Sequence, residues 1–90
     1  MTVPVEIYTT RTCGYCRAAK ELLREKNVAF MEHDVSNDPA LRAEMTQRAN
    51  GRTTVPQIFV GDVHVGGCDD LYALNQEDRL DGLLATGVLG

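Results

Sequence analysis

The first part of the chain changes from a two-residue hydrophobic period to a helical one. Val3, Val5 and Ile7 alternate with Pro4, Glu6 and Tyr8, which predicts a first β-strand. Apolar and charged residues then separate onto two sides at helical spacing, which predicts a helix from about residue 14 to 26. The apolar side of this helix consists of Tyr15, Ala18, Ala19, Leu22 and Leu23, and the charged side of Arg17, Lys20, Glu21, Arg24 and Glu25.

The middle of the chain repeats this strand and helix order. Residues 28–34 predict a short second strand. A second helix is then marked by Asp38 as N-cap, Pro39 at the first position and Gly51 as the stop. Its predicted inner face carries Leu41, Met45 and Ala49.

The last third begins with two apolar runs separated by Gly61-Asp62, a dipeptide that suits a two-residue hairpin turn. The remaining leucines predict one helix and a further helical turn. The order is therefore β-α-β-α-β-β-α. It predicts an α/β fold with a four-stranded mixed sheet and helices on both faces, and the length predicts a single domain over residues 1–90.

Composition narrows the class of protein. Apolar residues make up 43% and charged residues 24%, and no run approaches the roughly 20 apolar residues of a membrane span. No secretory leader is apparent after Met1, so we expect a cytoplasmic protein without a membrane partner. The net charge of −4 argues against a nucleic-acid surface. Residues 1–27 are locally basic, with five bases against three acids.

Three cysteines, Cys13, Cys16 and Cys68, are the candidates for chemistry. Their odd number fits poorly with a secreted disulfide framework, so a close pair in a reducing compartment is expected to be catalytic or metal-binding. Cys13 lies where the first strand ends and the first helix begins. Unpaired N–H groups at a helix start stabilise a thiolate, and Arg11 and Arg17 add positive charge. We expect Cys13 to be the exposed nucleophile and Cys16, one turn into the helix, to be the buried resolving thiol.

A zinc site is the alternative for this pair. His64 and Cys68 would complete a four-ligand set with Cys13 and Cys16. The second half of that set, H-x-x-x-C across two glycines, is not the tight ligand pair that zinc sites repeat. We therefore interpret His64 as a surface residue of a hairpin strand.

Four segments together resemble the small dithiol glutaredoxins. They are VEIYT at 5–9, TCGYC at 12–16, TTVPQIFV at 53–60 and GGCDDLYAL at 66–74, in the family's order and spacing. The resemblance implies a thioredoxin-like fold and glutathione as co-substrate, with no metal required. It also implies a cis peptide bond between Val55 and Pro56, with the Val55 backbone pairing to the glutathione peptide like an added strand.

The resemblance further implies which residues contact glutathione. The helix start at Cys68, Asp69 and Asp70 suits the γ-glutamyl end, although both aspartates also suit simple N-capping. Tyr15 would form a wall beside the cysteines, or alternatively face solvent without a role. The implied glutathione-binding set is Arg11, Cys13, Tyr15, Thr54, Val55, Pro56, Gly67, Cys68, Asp69 and Asp70.

Two positions depart from the family pattern. Thr10 stands where the family usually has a lysine for the glycyl carboxylate, so Arg11, or else Arg48 or Arg52, would have to serve. Gly14 replaces the usual proline and opens space over Cys13. Cys68 is interpreted mainly as a small helix-start residue, with a regulatory disulfide as the alternative.

Taken together, the sequence predicts an enzyme that acts through Cys13 and Cys16. It would be a glutathione-dependent thiol–disulfide oxidoreductase whose partners are glutathione and proteins with glutathionylated or disulfide-bonded cysteines, and it would be a monomer. The alternative is an iron–sulfur carrier that holds a glutathione-ligated [2Fe-2S] cluster between two monomers through Cys13. Gly14 permits that alternative, whereas the second cysteine favours reductase activity.

Overall fold

The computed structural model of the chain describes residues 3–89. Four strands and four helices follow one another in the predicted order, with one helix more at the C-terminal end. Their bounds are β1 Val5–Thr9, α1 Gly14–Glu25, β2 Met31–Asp34, α2 Pro39–Arg48, β3 Gln57–Val60, β4 Val63–Gly66, α3 Cys68–Gln76 and α4 Leu80–Thr86.

The strands form one mixed sheet in the order β2-β1-β3-β4. β1 pairs parallel with β2 and antiparallel with β3, and β3 pairs antiparallel with β4. The turn between β3 and β4 consists of Gly61 and Asp62, and Gly61 has a φ of 57°, a conformation that glycine adopts without steric cost. The predicted fold class and the predicted hairpin are both confirmed.

Two apolar clusters cover the two faces of the sheet, because successive residues of a strand point to opposite sides. Ile7 and Ile58 pack with the inner faces of α1, α3 and α4. Tyr8 and Phe59 pack on the other face against Met45 of α2. Cys16 shares the buried side of α1 with Ala19, Leu22 and Leu23, as its helical spacing predicted.

The structure corrects two element boundaries. The second strand begins at Met31 rather than at residue 28, because the Val28 N–H donates to the Leu23 carbonyl (3.1 Å) and completes the end of α1. The predicted C-terminal turn is a full helix, α4. Asp78, with a φ of 58°, lies between α3 and α4.

Sheet register brings three connections to one edge of the sheet. Tyr8 near the end of β1 pairs with Gln57 at the start of β3, and Ile58 pairs with Gly66 at the end of β4. The loop after β1, the loop before β3 and the first turn of α3 are therefore neighbours, although they are far apart in sequence. Within residues 3–89, no helix combines the length and the apolar character that crossing a bilayer requires.

Candidate active site

Cys13 occupies the N-cap of α1, where its sulfur meets the unpaired N–H groups of the first turn. Its backbone is extended (φ −94°, ψ 112°), and its Sγ accepts a hydrogen bond from the Cys16 N–H at 3.1 Å. The side chain is partly exposed. A helix N-terminus carries about half a positive charge, so a thiolate formed here is stabilised in place.

Cys16 lies in a contrasting environment only one turn along the helix. Its side chain is 1% exposed. Burial, together with the hydrogen bond to Cys13, raises the pKa of the Cys16 thiol to about 12. Cys16 is therefore a protonated thiol at neutral pH. All three cysteines are free thiols, and Cys68 is buried as well.

The loop before β3 forms the wall that faces Cys13. The peptide bond between Val55 and Pro56 is cis, as expected. The Cys13 thiol, when protonated, donates to the Val55 carbonyl across 3.8 Å. The backbone of Val55 is therefore close enough to contact a group that is covalently bonded to the Cys13 sulfur.

The first turn of α3 closes the other side of the site. Gly66 has a φ of 113°, and a Cβ on Gly66 would overlap the Asp70 carboxylate. Asp70 Oδ2 accepts a hydrogen bond from the Gly67 N–H (2.9 Å) and pairs with Arg52 Nη1 (3.3 Å). Both aspartates are exposed, and it is Asp70 that caps the helix and pairs with a base.

Between these two sides runs a groove of about 280 Å³, near the lower end of the size range of small-ligand pockets. Eight of the ten residues predicted to contact glutathione line it, and Arg52 is added to them. The lining is Tyr15, Arg52, Thr54, Val55, Pro56, Gly67, Cys68, Asp69 and Asp70. Cys13 lies at the edge of the groove through its contact with Val55.

Arg11 lies away from this groove. It borders a second hollow, together with Thr10, Arg17 and Lys20, and this hollow is also lined by both active-site cysteines. The Arg11 guanidinium is 4.0 Å from Asp34 and is largely exposed. The base that lines the groove itself is Arg52.

The other alternative base, Arg48, is engaged by residues of β1 and β3. Its guanidinium donates to both Glu6 carboxylate oxygens and to the Tyr8 hydroxyl, at 2.7–3.2 Å. It also stacks over the Phe59 ring at 4.1 Å. Arg48 therefore does not reach the groove.

His64 is not the surface residue that the sequence suggested. Its ring is half-buried, and its Nε2 lies 2.7 Å from Gln57 Oε1. Burial, reinforced by the positive charge of Arg52, lowers the pKa of His64. Across residues 3–89, no three or more histidine, cysteine, aspartate or glutamate side chains are grouped as a metal site would need.

Sequence reasoning missed Gln57, which is completely buried and bonded to Thr54 in the groove wall. The signal was available, since a glutamine inside the apolar run VPQIFV has to find partners if it is buried. The partners of Gln57 depend on how β3 pairs with β4, and the sequence pattern did not specify that pairing.

Comparison with protein families gives one match that covers most of the chain. The family model described as Glutaredoxin matches residues 5–65. A glutaredoxin of Pseudomonas aeruginosa is 55% identical over 92% of this chain and 98% of that protein. Glutaredoxin 3 of Escherichia coli K12 is 56% identical over 89% of this chain and 95% of that protein.

The solved structures that match this chain are also glutaredoxins. The solution structure of glutaredoxin from Brucella melitensis has a TM-score of 0.88 and 58% identity, covering 99% of this chain and 96% of that one. A structure from work on metal binding of glutaredoxins has a TM-score of 0.76 and 57% identity, with the same coverage. The buckwheat glutaredoxin–glutathione complex has a TM-score of 0.82 and 27% identity, covering 91% and 76% of the two chains.

Proposed function

The chain belongs to the glutaredoxin family of glutathione-dependent thiol–disulfide oxidoreductases, and from this we propose that it reduces glutathione mixed disulfides and protein disulfides through Cys13 and Cys16. The observation that carries the proposal is the position of Cys13. Its sulfur meets the N–H groups of α1 and lies 3.8 Å from the Val55 carbonyl at the edge of the groove.

The first half-reaction removes glutathione from a substrate. The Cys13 thiolate attacks the glutathione sulfur of a mixed disulfide, the S–S bond breaks, and the substrate leaves as a thiolate that takes a proton from water. Cys13 is then bonded to glutathione. The thiolate of a second glutathione attacks the sulfur of the first, which releases glutathione disulfide and restores Cys13.

A protein disulfide follows a second branch that uses Cys16. Cys13 attacks one sulfur of the protein disulfide, which breaks that S–S bond, releases the other sulfur as the first protein thiol and leaves a mixed disulfide between Cys13 and the protein. The Cys16 thiol loses its proton and attacks Cys13, giving Cys13–Cys16 and the second protein thiol. Two glutathione molecules then reduce Cys13–Cys16 to two thiols and leave as glutathione disulfide. The buried, protonated state of Cys16 supports this order, because Cys16 is a poor nucleophile until a disulfide forms one helical turn away.

The groove is the proposed site for glutathione. Its peptide would run beside the Val55 backbone, and its γ-glutamyl end would meet the free N–H groups that start α3, with Asp69 near the ammonium. Arg52 supplies positive charge inside the groove. Arg11 would contact only a ligand that extends past Cys13 into the second hollow. The solved buckwheat complex with glutathione supports the choice of ligand.

A coupled assay tests the proposal. Glutathione, glutathione reductase and NADPH report turnover of a glutathionylated peptide by the wild type, Cys13→Ser and Cys16→Ser. We expect Cys13→Ser to abolish turnover, because it removes the nucleophile. Cys16→Ser should retain substantial turnover of this substrate but lose reduction of protein disulfides. Equal loss in both variants for the glutathionylated peptide would contradict the one-thiol scheme.

Cluster carriage is a second candidate, favoured by Gly14 and by the metal-binding work on a 57% identical glutaredoxin. A Cβ on Gly14 would meet nothing within 4 Å, so the surface beside Gly14 is open. Cys13 of two monomers and two glutathiones would hold the cluster. Protein purified without oxygen and in glutathione should then show visible absorption that Cys13→Ser lacks. Colourless wild-type protein that is active in the coupled assay would leave reduction as the function.

A further inference from the structure

Gln57 is a buried polar residue that the chemistry at Cys13 does not use. It is the first residue of β3, directly after Pro56, and its side chain is 0% exposed. Its Nε2 donates to the Thr54 carbonyl at 2.9 Å and lies 3.2 Å from the Thr54 hydroxyl. Its Oε1 lies 2.7 Å from His64 Nε2. Gln57 therefore connects the groove wall to the next strand.

The direction of these bonds can be assigned from donor and acceptor chemistry. A backbone carbonyl only accepts, so the amide nitrogen of Gln57 must face Thr54. Its amide oxygen then faces His64 and can only accept, so His64 must donate from Nε2. The pKa of His64 is lowered, and a neutral imidazole carries one proton. The ring is accordingly the Nε2–H tautomer, with Nδ1 unprotonated.

His64 is itself fixed in place by the sheet. It pairs with Phe59 across β3 and β4, and the two rings stack at 4.9 Å with an angle of 23° between their planes. The Arg48 guanidinium lies over the same Phe59 ring. The stacking fixes the plane of the imidazole, and the bond to Gln57 fixes which edge of the ring faces it.

We propose that Gln57 and His64 are positioning residues for the glutathione groove, acting through Thr54 to hold the Val55 backbone opposite Cys13. Thr54 is exposed and precedes Val55, and the bonds from Gln57 tie its carbonyl and hydroxyl to the sheet. The inference rests on the proposed binding of glutathione beside Val55. It predicts an effect on substrate binding rather than on chemistry, because neither side chain contacts Cys13.

Two substitutions at His64 separate the hydrogen bond from the stacking. His64→Phe keeps an aromatic ring against Phe59 but removes the donor, whereas His64→Gln restores an N–H near the position of Nε2. We expect His64→Phe to raise KM for a glutathionylated peptide about three- to tenfold, within the range of the net contribution of one hydrogen bond, with kcat nearly unchanged. His64→Gln should recover most of the loss.

His33→Phe is the matched control. It changes a second histidine on the same face of the sheet, whose Nε2 pairs with Glu6 instead of with Gln57. We expect its KM to equal that of the wild type. Circular dichroism and thermal unfolding establish that each variant is folded before its kinetics are compared. Unchanged KM in folded His64→Phe, or an equal rise in His33→Phe, overturns the proposal.

Two further measurements test the proposal even if His64→Phe does not fold. Gln57→Met keeps volume and removes the donors to Thr54, so it should raise KM in the same way, and a wild-type KM would overturn the proposal. Nitrogen NMR of the wild-type ring should show the Nε2–H tautomer near neutral pH. Observation of the Nδ1–H tautomer would refute the assigned hydrogen bonds, whatever the activity of the protein. An inactive wild type would refute the proposed function, but it would not change the tautomer result.

Discussion

Cys13 and Cys16 are separated by two residues, yet the helix gives them opposite properties. Cys13 stands before the first turn and faces solvent and free N–H groups, whereas Cys16 points into the core beside Ala19 and Leu23. This asymmetry was predictable from sequence because it follows from helical periodicity alone. The sequence did not predict that Arg52 is the base in the groove, because this depends on where the end of α2 lies relative to α3.

The placement of Arg52 and Arg11 leads to a prediction at the scale of single residues. Arg52→Ala should raise KM for a glutathionylated peptide about two- to fivefold, the range of a partly exposed ion pair. Arg52→Lys should retain most of the affinity. Arg11→Ala should change KM less, because Arg11 lies outside the groove. The KM of each variant is measured at low and high salt, since screening should reduce the Arg52 effect. A larger loss from Arg11→Ala would reverse the assignment of the two bases.

At the scale of elements, sequence predicted best where a local signal exists. Asp38 does cap α2, accepting from the Leu41 N–H at 3.0 Å, and Pro39 begins that helix as expected. The late start of β2 was missed, and α4 was predicted only as a further helical turn. Both depend on a single residue with positive φ, Asn27 and Asp78, neither of which is a glycine. Asparagine and aspartate adopt this conformation only when the surrounding chain favours it.

The first turn of α3 combines a helix cap with a binding site, and the two roles fall on different aspartates. Asp70→Ala removes the cap on the Gly67 N–H and the partner of Arg52, so it should lower the free energy of unfolding by about 1 kcal/mol and also raise KM. Asp69→Ala should raise KM with little loss of stability. Urea unfolding and the coupled assay, applied to both variants, separate these effects. Equal destabilisation by the two substitutions would mean that capping is shared.

At the scale of the whole molecule, the site exists only because the complete sheet is formed. The family model ends at residue 65, but the core that supports α1 also contains Leu71, Leu80 and Leu83 from α3 and α4. This supports the proposal of one domain over residues 1–90, whose two outer limits lie outside the described residues. The sequence predicted the two apolar faces from periodicity. It did not predict the polar bonds that join the layers, because these connect residues about 40 positions apart.

The bond between Glu6 on β1 and Arg48 on α2 is the main ionic link between the sheet and α2. Arg48 donates to both Glu6 oxygens, and His33 contributes a further bond from β2. The Arg48 hydrogen bonds hold the pKa of the Glu6 carboxyl below its usual value, against the opposing effect of burial. A carboxyl with a lowered folded-state pKa stabilises the fold above its unfolded pKa. That contribution is lost as the pH falls through the folded-state value.

We therefore expect Glu6→Gln to be less stable than the wild type by roughly 1–2 kcal/mol near pH 7, where the wild-type carboxylate is charged. The difference should begin to shrink below about pH 4.5, where the unfolded chain protonates Glu6 first, and should disappear below the lower folded-state pKa, where the folded wild type is protonated too. Urea unfolding at a series of pH values between 7 and 3 measures the difference in the free energy of unfolding between the two proteins. Glu21→Gln is the control, since Glu21 is exposed on α1 and makes no ion pair or hydrogen bond through its side chain within residues 3–89. Parallel stability curves for the wild type and Glu6→Gln would show that the β1–α2 ion pair contributes nothing to the acid sensitivity of the fold.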